Sequence, residues 1–204
     1  MNISRYLSGP PEDGQSIRAG APRALGARRA AGLAAMALAA TLSGASHAQT
    51  LVLDASNSQV GYTVEALGVL PVRGEFQQFH GLTQRDPAHP SACRVDVTVQ
   101  VGSLKMDDPA RRRQALEPDM LDAARFPTMR FTGACAPPGI AGKLTMHGVS
   151  HPLTLALQSA HGRMTATATL HRQDYGVAGL PNLVGSRVII ALNTPLPPAA
   201  LPGK

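Results

Sequence analysis

Apolar and polar residues alternate along most of the chain beyond residue 50. The run CRVDVTVQV is the clearest: Val95, Val97, Val99 and Val101 share one face, and Arg94, Asp96, Thr98 and Gln100 the other. In QVGYTVEAL, Val60, Tyr62 and Val64 oppose Gly61, Thr63 and Glu65. In TMRFTGAC, Met129 and Phe131 oppose Thr128, Arg130 and Thr132, and MTATATLHR alternates threonine with small or apolar residues. SRVIIALN is more continuously apolar. A period of two is that of a half-buried β-strand. Pro and Gly separate the runs, at Pro71, Gly74, Pro137, Pro138, Gly148, Pro152, Gly162 and Pro181 among others.

One segment breaks the alternation. DDPARRRQALEPDMLDAARFP, residues 107–127, is rich in helix formers and carries Leu116, Met120 and Leu121. Asp107 or Asp108 is placed to cap a first turn that begins at Pro109. Pro118 interrupts the pattern, so two short helices are expected, around 109–116 and 119–124. Many short strands with one helical insertion, around 107–126, predict an all-β antiparallel sandwich or barrel. About eight strands with one apolar face each would close into a small up-and-down barrel able to enclose one ligand.

The stretch GKLTMHGVSHPLTLAL raises a question of chemistry, because His147 and His151 stand four apart. Helical metal ligation at that spacing needs a helix, and Gly148 and Pro152 argue against one. Alternation places His147 on the polar face beside Lys143 and Thr145. The stretch therefore reads as a hairpin with exposed imidazoles. No nucleophile elbow, phosphate loop or dinucleotide fingerprint occurs, and no histidine or cysteine spacing points to a metal or a bound cofactor.

Composition refines this picture. ARRAAGLAAMALAATLSGASHAQ has the form of a secretory signal, with Arg28 and Arg29 before a short apolar run and small residues at Ser46-His47-Ala48. The expected division is 1–48, extension and signal, and 49–204, one domain with one core. Residues 1–24 read either as a disordered extension or as sequence upstream of a true start near Leu25. The formal charge of +6 falls to about +3 from Gln49 onward, where 14 basic residues face 11 acidic ones. Arg111–Arg113 is the only basic run and is flanked by acids, so no nucleic-acid partner is expected. Cys93 and Cys135 both follow the signal, so a disulfide in an exported, periplasmic protein is expected, with two free buried thiols as the alternative.

The motifs NSQVGYTVEALGVLPVRGEFQQFHG, MLDAARFPTMRFTG, GKLTMHGVSHPLTL, HRQDYGV and VGSRVIIALN occur in that order. Together they resemble the YceI-like family of periplasmic polyisoprenoid-binding proteins, over about residues 51–194. The resemblance implies a lipocalin-like antiparallel barrel with a short helical insertion. It also implies a long apolar cavity for an isoprenoid quinone or polyprenyl chain, and no enzymatic activity. Tyr175 stands where the family has Phe.

The bulky candidates for a cavity lining are Tyr62, Phe76, Phe79, Phe126, Phe131 and Tyr175. Medium-sized candidates are Val97, Val99, Met129, Leu144, Met146 and Leu155, with Met120 and Leu121 from the insertion. Periodicity does not distinguish an open cavity from a filled core. Two readings stand: a carrier of a long isoprenoid lipid, or an enzyme on a lipophilic substrate with His147, His151 or His171 as acid-base groups. Contact with a membrane or membrane protein, and a homodimer, are left open.

Overall fold

The computed structural model describes residues 49–86, 89 and 92–196. The expected signal segment and its cleavage point lie outside them. The strands are β1 (Gln49–Asp54), β2 (Gln59–Ala66), β3 (Leu70–Phe76), β4 (Phe79–Arg85), β5 (Cys93–Gln100), β6 (Leu104–Lys105) and β7 (Thr128–Ala136). They continue with β8 (Gly139–Met146), β9 (Val149–Ala160), β10 (Arg163–His171) and β11 (Val184–Pro195). Among the described residues one α-helix, α1 (Pro109–Ala115), and two short 3-10 turns, Val101–Ser103 and Arg172–Tyr175, interrupt them.

All eleven strands belong to one antiparallel, curled sheet, in the order β1-β4-β5-β7-β8-β9-β10-β11-β2-β3-β6. β3 pairs with β2 and β4 with β5, yet only Gln77 and Gln78 separate β3 from β4. The ladder thus runs from β4 round to β3, and the chain itself joins those ends. Residues 55–58, 77–78 and 101–103 each split one long strand in two. Eight staves therefore appear as eleven strands, which reconciles the count with the alternation in the sequence.

Each alternating run forms the strand its period demands. Val95, Val97 and Val99 on β5, Phe131 on β7, Leu144 on β8 and Leu155 on β9 are buried in one apolar cluster. Cys93 and Cys135 face each other across the β5–β7 ladder, one position beyond the Arg94–Ala134 pair, and are bonded as a disulfide with Cα atoms 5.0 Å apart. That separation lies within the ordinary bridging range.

The insertion departs from expectation in its second half. α1 forms as predicted: the Asp108 carboxylate accepts from the Ala110 and Arg111 amides, and Pro109 opens the helix. Arg112 ties it to the barrel by donating to the Leu104 and Gly102 carbonyls. No helix follows around 119–124. Pro118 supplies no amide proton, and Asp122 takes a left-handed φ of 44°. The chain folds back on itself instead, with the Leu121 amide donating to Ala115 and the Ala123 amide to Leu116.

Candidate functional site

The interior is hollow, with a cavity of about 180 Å³ between the β2–β11 wall and the β5, β7, β8 and β9 wall. On the second wall Val97, Phe131, Leu144 and Leu155 are buried. On the first, the inward-facing Val60, Tyr62, Val188, Ile190 and Leu192 are only half-buried, because the void lies in front of them. Nearly all of the lining is hydrocarbon, so the site favours an apolar guest and offers few directional contacts.

Glycines keep the space open. Gly74 sits directly opposite Tyr62 in the β2–β3 register. A Cβ there would stand 2.7 Å from Tyr62 Cζ and 2.8 Å from a Leu104 methyl. Phe131 likewise lies over Gly133 and Gly142, whose added Cβ atoms would meet its ring at 3.0 and 2.6 Å. The large rings thus lie flat against the wall where side chains are missing, and the middle stays free.

The cavity has unlike ends. Leu53, Ser58 and Thr194 are buried at one end, where the Ser58 and Thr194 hydroxyls share a 3.0 Å hydrogen bond. At the other end Val64 and Val184 line the void, with Met120 and Leu121 from the folded-back insertion. The Gly179 amide donates to the Asp119 carbonyl at 2.7 Å, joining the 176–184 loop to that insertion.

Arg172 is the polar residue that sequence reasoning missed. It contacts the cavity, is 3% exposed, and donates to the carbonyls of Val177, Val184 and Gly185 at 2.9, 2.9 and 3.0 Å. Burial pulls its pKa below the usual guanidinium value. It clamps the 176–185 loop to the barrel, and its stem adds to the lining. The 3-10 turn breaks the period of two here, so alternation gave no signal; only the motif HRQDYGV contained it.

Of the sequence candidates, Tyr62, Phe76, Val97, Val99, Met120, Leu121, Met129, Phe131, Leu144, Met146 and Leu155 line the cavity. Three do not. Phe79 is buried in the apolar cluster instead. Tyr175 is 2% exposed, at the end of the Arg172–Tyr175 turn and in edge contact with the His151 ring. Phe126 packs on His147 at 4.5 Å between ring centroids, with the Arg125 guanidinium 5.2 Å from the Phe126 centroid. Val60, Val64, Leu170, Val177, Val188 and Ile190 also belong to the lining and were not singled out as cavity candidates, although several follow the same alternation.

Among the described residues the histidines do not converge on the cavity, and none of those lines it. His147 and Gly148 form the expected two-residue hairpin, with φ of 53° and 76°. The expected exposure of His147 is corrected. The outer face of β8 at this point is covered by Phe126 and the Arg172–Tyr175 turn, so the ring is half-buried. His147 Nδ1 donates to the Tyr175 carbonyl at 3.1 Å, which leaves Nε2 buried without a partner. His151 Nε2 donates to the Asp174 carbonyl at 3.0 Å, and His171 is exposed at the end of β10. The Tyr62 phenol does line the void. Its hydroxyl reaches only Met106 Sδ, at 3.6 Å, and burial pushes its pKa up to about 12.

A hollow antiparallel barrel with an apolar interior defines the class of small β-barrel binding folds. The YceI-like domain model matches residues 51–196, and the chain belongs to that family. A UPF0312 protein of Pseudomonas savastanoi pv. phaseolicola is 27% identical over 167 residues, covering 72% of this chain and 87% of the relative. Protein YceI of Salmonella arizonae is 31% identical over 101 residues, 47% of this chain and 53% of that protein. The fold is similar to the crystal structure of Burkholderia cenocepacia BcnA, with a TM-score of 0.60 at 21% identity over 69% of this chain and 97% of that one. It is also similar to a polyisoprenoid binding domain from Saccharophagus degradans, with a TM-score of 0.52 at 11% identity over 74% and 100% of the two chains.

Proposed function

We propose that the protein binds and carries a long apolar isoprenoid lipid, a quinone or polyprenyl chain, in the barrel interior. The observation that carries this reading is the apolar cavity, held open by aromatic rings lying over glycines. Family membership supports it, as does the fold shared with a domain named for polyisoprenoid binding. The void is close in size to engineered cavities of ~150 Å³ that admit one benzene. A longer tail is accommodated by rotation of Met120, Met129 and Met146, whose unbranched thioethers repack at low cost. Each methylene buried contributes about 0.8 kcal/mol, so a few isoprene units supply on the order of 10 kcal/mol before ordering costs.

The proposal assigns no catalytic step. It places the protein in the periplasm, a reading supported by the signal-like N-terminal sequence and by the disulfide, which persists in oxidising compartments. The test is mass spectrometry of lipid extracted from protein purified under native conditions, followed by uptake of an isoprenoid quinone from detergent. Recovery of isoprenoid lipid in near-stoichiometric amount is expected. Absence of any lipid, together with no quinone uptake, overturns the reading.

A further inference from the structure

Three hairpins of this barrel carry an X-Gly pair at the tip with nearly the same backbone, and at the β2–β3 tip Val69 adds a third residue between the paired Ala66 and Leu70. Their φ values are 51° and 75° at Leu67-Gly68, 53° and 76° at His147-Gly148, and 50° and 74° at His161-Gly162. Turns of this type favour Asn, Asp or Gly at the first position, since a branched side chain is strained at positive φ. Two of the tips carry polar histidine. The third carries leucine, and its side chain is 62% exposed. Neither the turn nor the core calls for leucine there.

Leu67 is not alone. Val69 is 78% exposed, and Leu70 and Leu183 are about half exposed. The Leu67 amide donates to the Leu183 carbonyl at 2.9 Å, so the β2–β3 tip and the 176–184 loop present one aliphatic surface. That surface stands on the rim of the cavity: Ala66 pairs with Val184, and Val64 and Val184 line the void. From Ala66 to Val72 and from Tyr175 to Ser186 no residue carries a formal charge. Each segment then ends on an exposed arginine, Arg73 and Arg187, and neither forms an ion pair among the described residues. Glu65 and Asp174 precede the same segments, so the belt behind the tip is of mixed sign.

We infer that this rim is a docking surface for a phospholipid bilayer, and that Leu67, Val69, Leu70 and Leu183 enter its outermost hydrocarbon. The inference rests on the carrier reading above and adds where the carrier meets its source. The complementarity is one of layers. An uncharged aliphatic tip comes first, and Arg73 follows three residues behind Leu70, roughly 10 Å along the strand. Shallow interfacial insertion is of that depth, about 5–10 Å below the headgroups, which puts both arginines at the level of lipid phosphate. The Val64–Val184 end of the cavity then faces the acyl region from which an isoprenoid tail has to be drawn. Because the charged belt is mixed, insertion depends chiefly on the aliphatic tip, and anionic lipid strengthens it modestly.

The test uses the purified full chain with V69C or H161C, each labelled with nitrobenzoxadiazole; both native cysteines are in the disulfide. His161 is exposed on the barrel's far end, where Gly162 accepts from Leu196. Vesicles of phosphatidylcholine, alone and with 30% phosphatidylglycerol (about one lipid in three), are added. The label at position 69 is expected to shift to the blue, brighten severalfold and be quenched by acyl-chain spin labels, while that at 161 does not respond. L67N with V69T, or R73Q with R187Q, should cut vesicle-dependent uptake of quinone about tenfold and severalfold respectively, with uptake from detergent unchanged. No response at position 69 in a protein that takes up quinone from detergent overturns the docking surface and leaves the carrier reading intact. A vesicle-independent blue shift that grows with concentration and doubles the mass assigns the surface to a second copy of the chain, and also overturns it.

Discussion

The phenol ring of Tyr62 lies across Gly74, its direct partner on the neighbouring strand, where a Cβ would stand 2.7 Å from Cζ. The ring is thus stored against the wall, and the void is the space it leaves. G74V should push the ring inward. The domain is expected to stay folded by circular dichroism while quinone uptake falls at least tenfold. Restoring uptake with G74V together with Y62A would confirm that the ring, and not a general loss of structure, blocks the cavity.

Alkaline stability depends on the same residue. The unfolded chain releases the Tyr62 proton near 10, whereas burial pushes the folded pKa up to about 12. Between these values the folded protein holds a proton that the unfolded chain has lost. Stability from this source is full below pH ~10, declines as pH rises, and is gone above ~12. Two units correspond to ~3 kcal/mol. Denaturant titrations from pH 8 to 11.5 should show this decline in the wild type and a flatter profile in Y62F.

Leu155 and Val99 are both buried, and both line the cavity. L155D forces a carboxylate to be desolvated or protonated in an apolar space. Uptake of isoprenoid quinone is expected to vanish. Circular dichroism separates lost binding from lost fold, and L155A, which enlarges the void at a cost of ~2–5 kcal/mol, should keep measurable uptake.

His147 is a packing residue in this structure. H147A deletes the hydrogen bond to the Tyr175 carbonyl and the contact with Phe126. A loss of about 1–2 kcal/mol is expected in denaturant unfolding, with quinone retention within a few-fold of wild type. Loss of binding in a well-folded H147A protein would return His147 to the site.

Reduction of Cys93–Cys135 opens a link spanning 42 residues. The expected cost is ~2–4 kcal/mol, chiefly because the unfolded chain gains freedom. Unfolding with and without reductant measures it, and equal midpoints would show that the β5–β7 ladder holds without the bond.

The strands and their inward faces were legible because alternation is a local property: Val95, Val97 and Val99 declare their face within five residues. The capped helix was legible for the same reason, through Asp108 and Pro109. What escaped depends on parts distant in sequence. His147 has outward parity, and nothing nearby reveals that Phe126 and the Arg172–Tyr175 turn cover it. Phe126 and Tyr175 are large and apolar, but they lie in irregular segments where parity has no meaning. Arg172 is buried because three carbonyls from the 177–185 loop meet it, which no pattern of hydrophobicity records. The hollow interior rests on glycines opposite aromatic rings, a relation of register between strands.

The hydroxyl pair of Ser58 and Thr194, buried at one end of the barrel, has a consequence for direction. If the carrier proposed above admits its lipid only at the opposite end, a tail that enters leading with its far terminus leaves its head at the rim, and on departure the head is the part nearest the acceptor. Such a lipid is never turned end for end on the way, and it is handed on with the same polarity it had in the leaflet that supplied it.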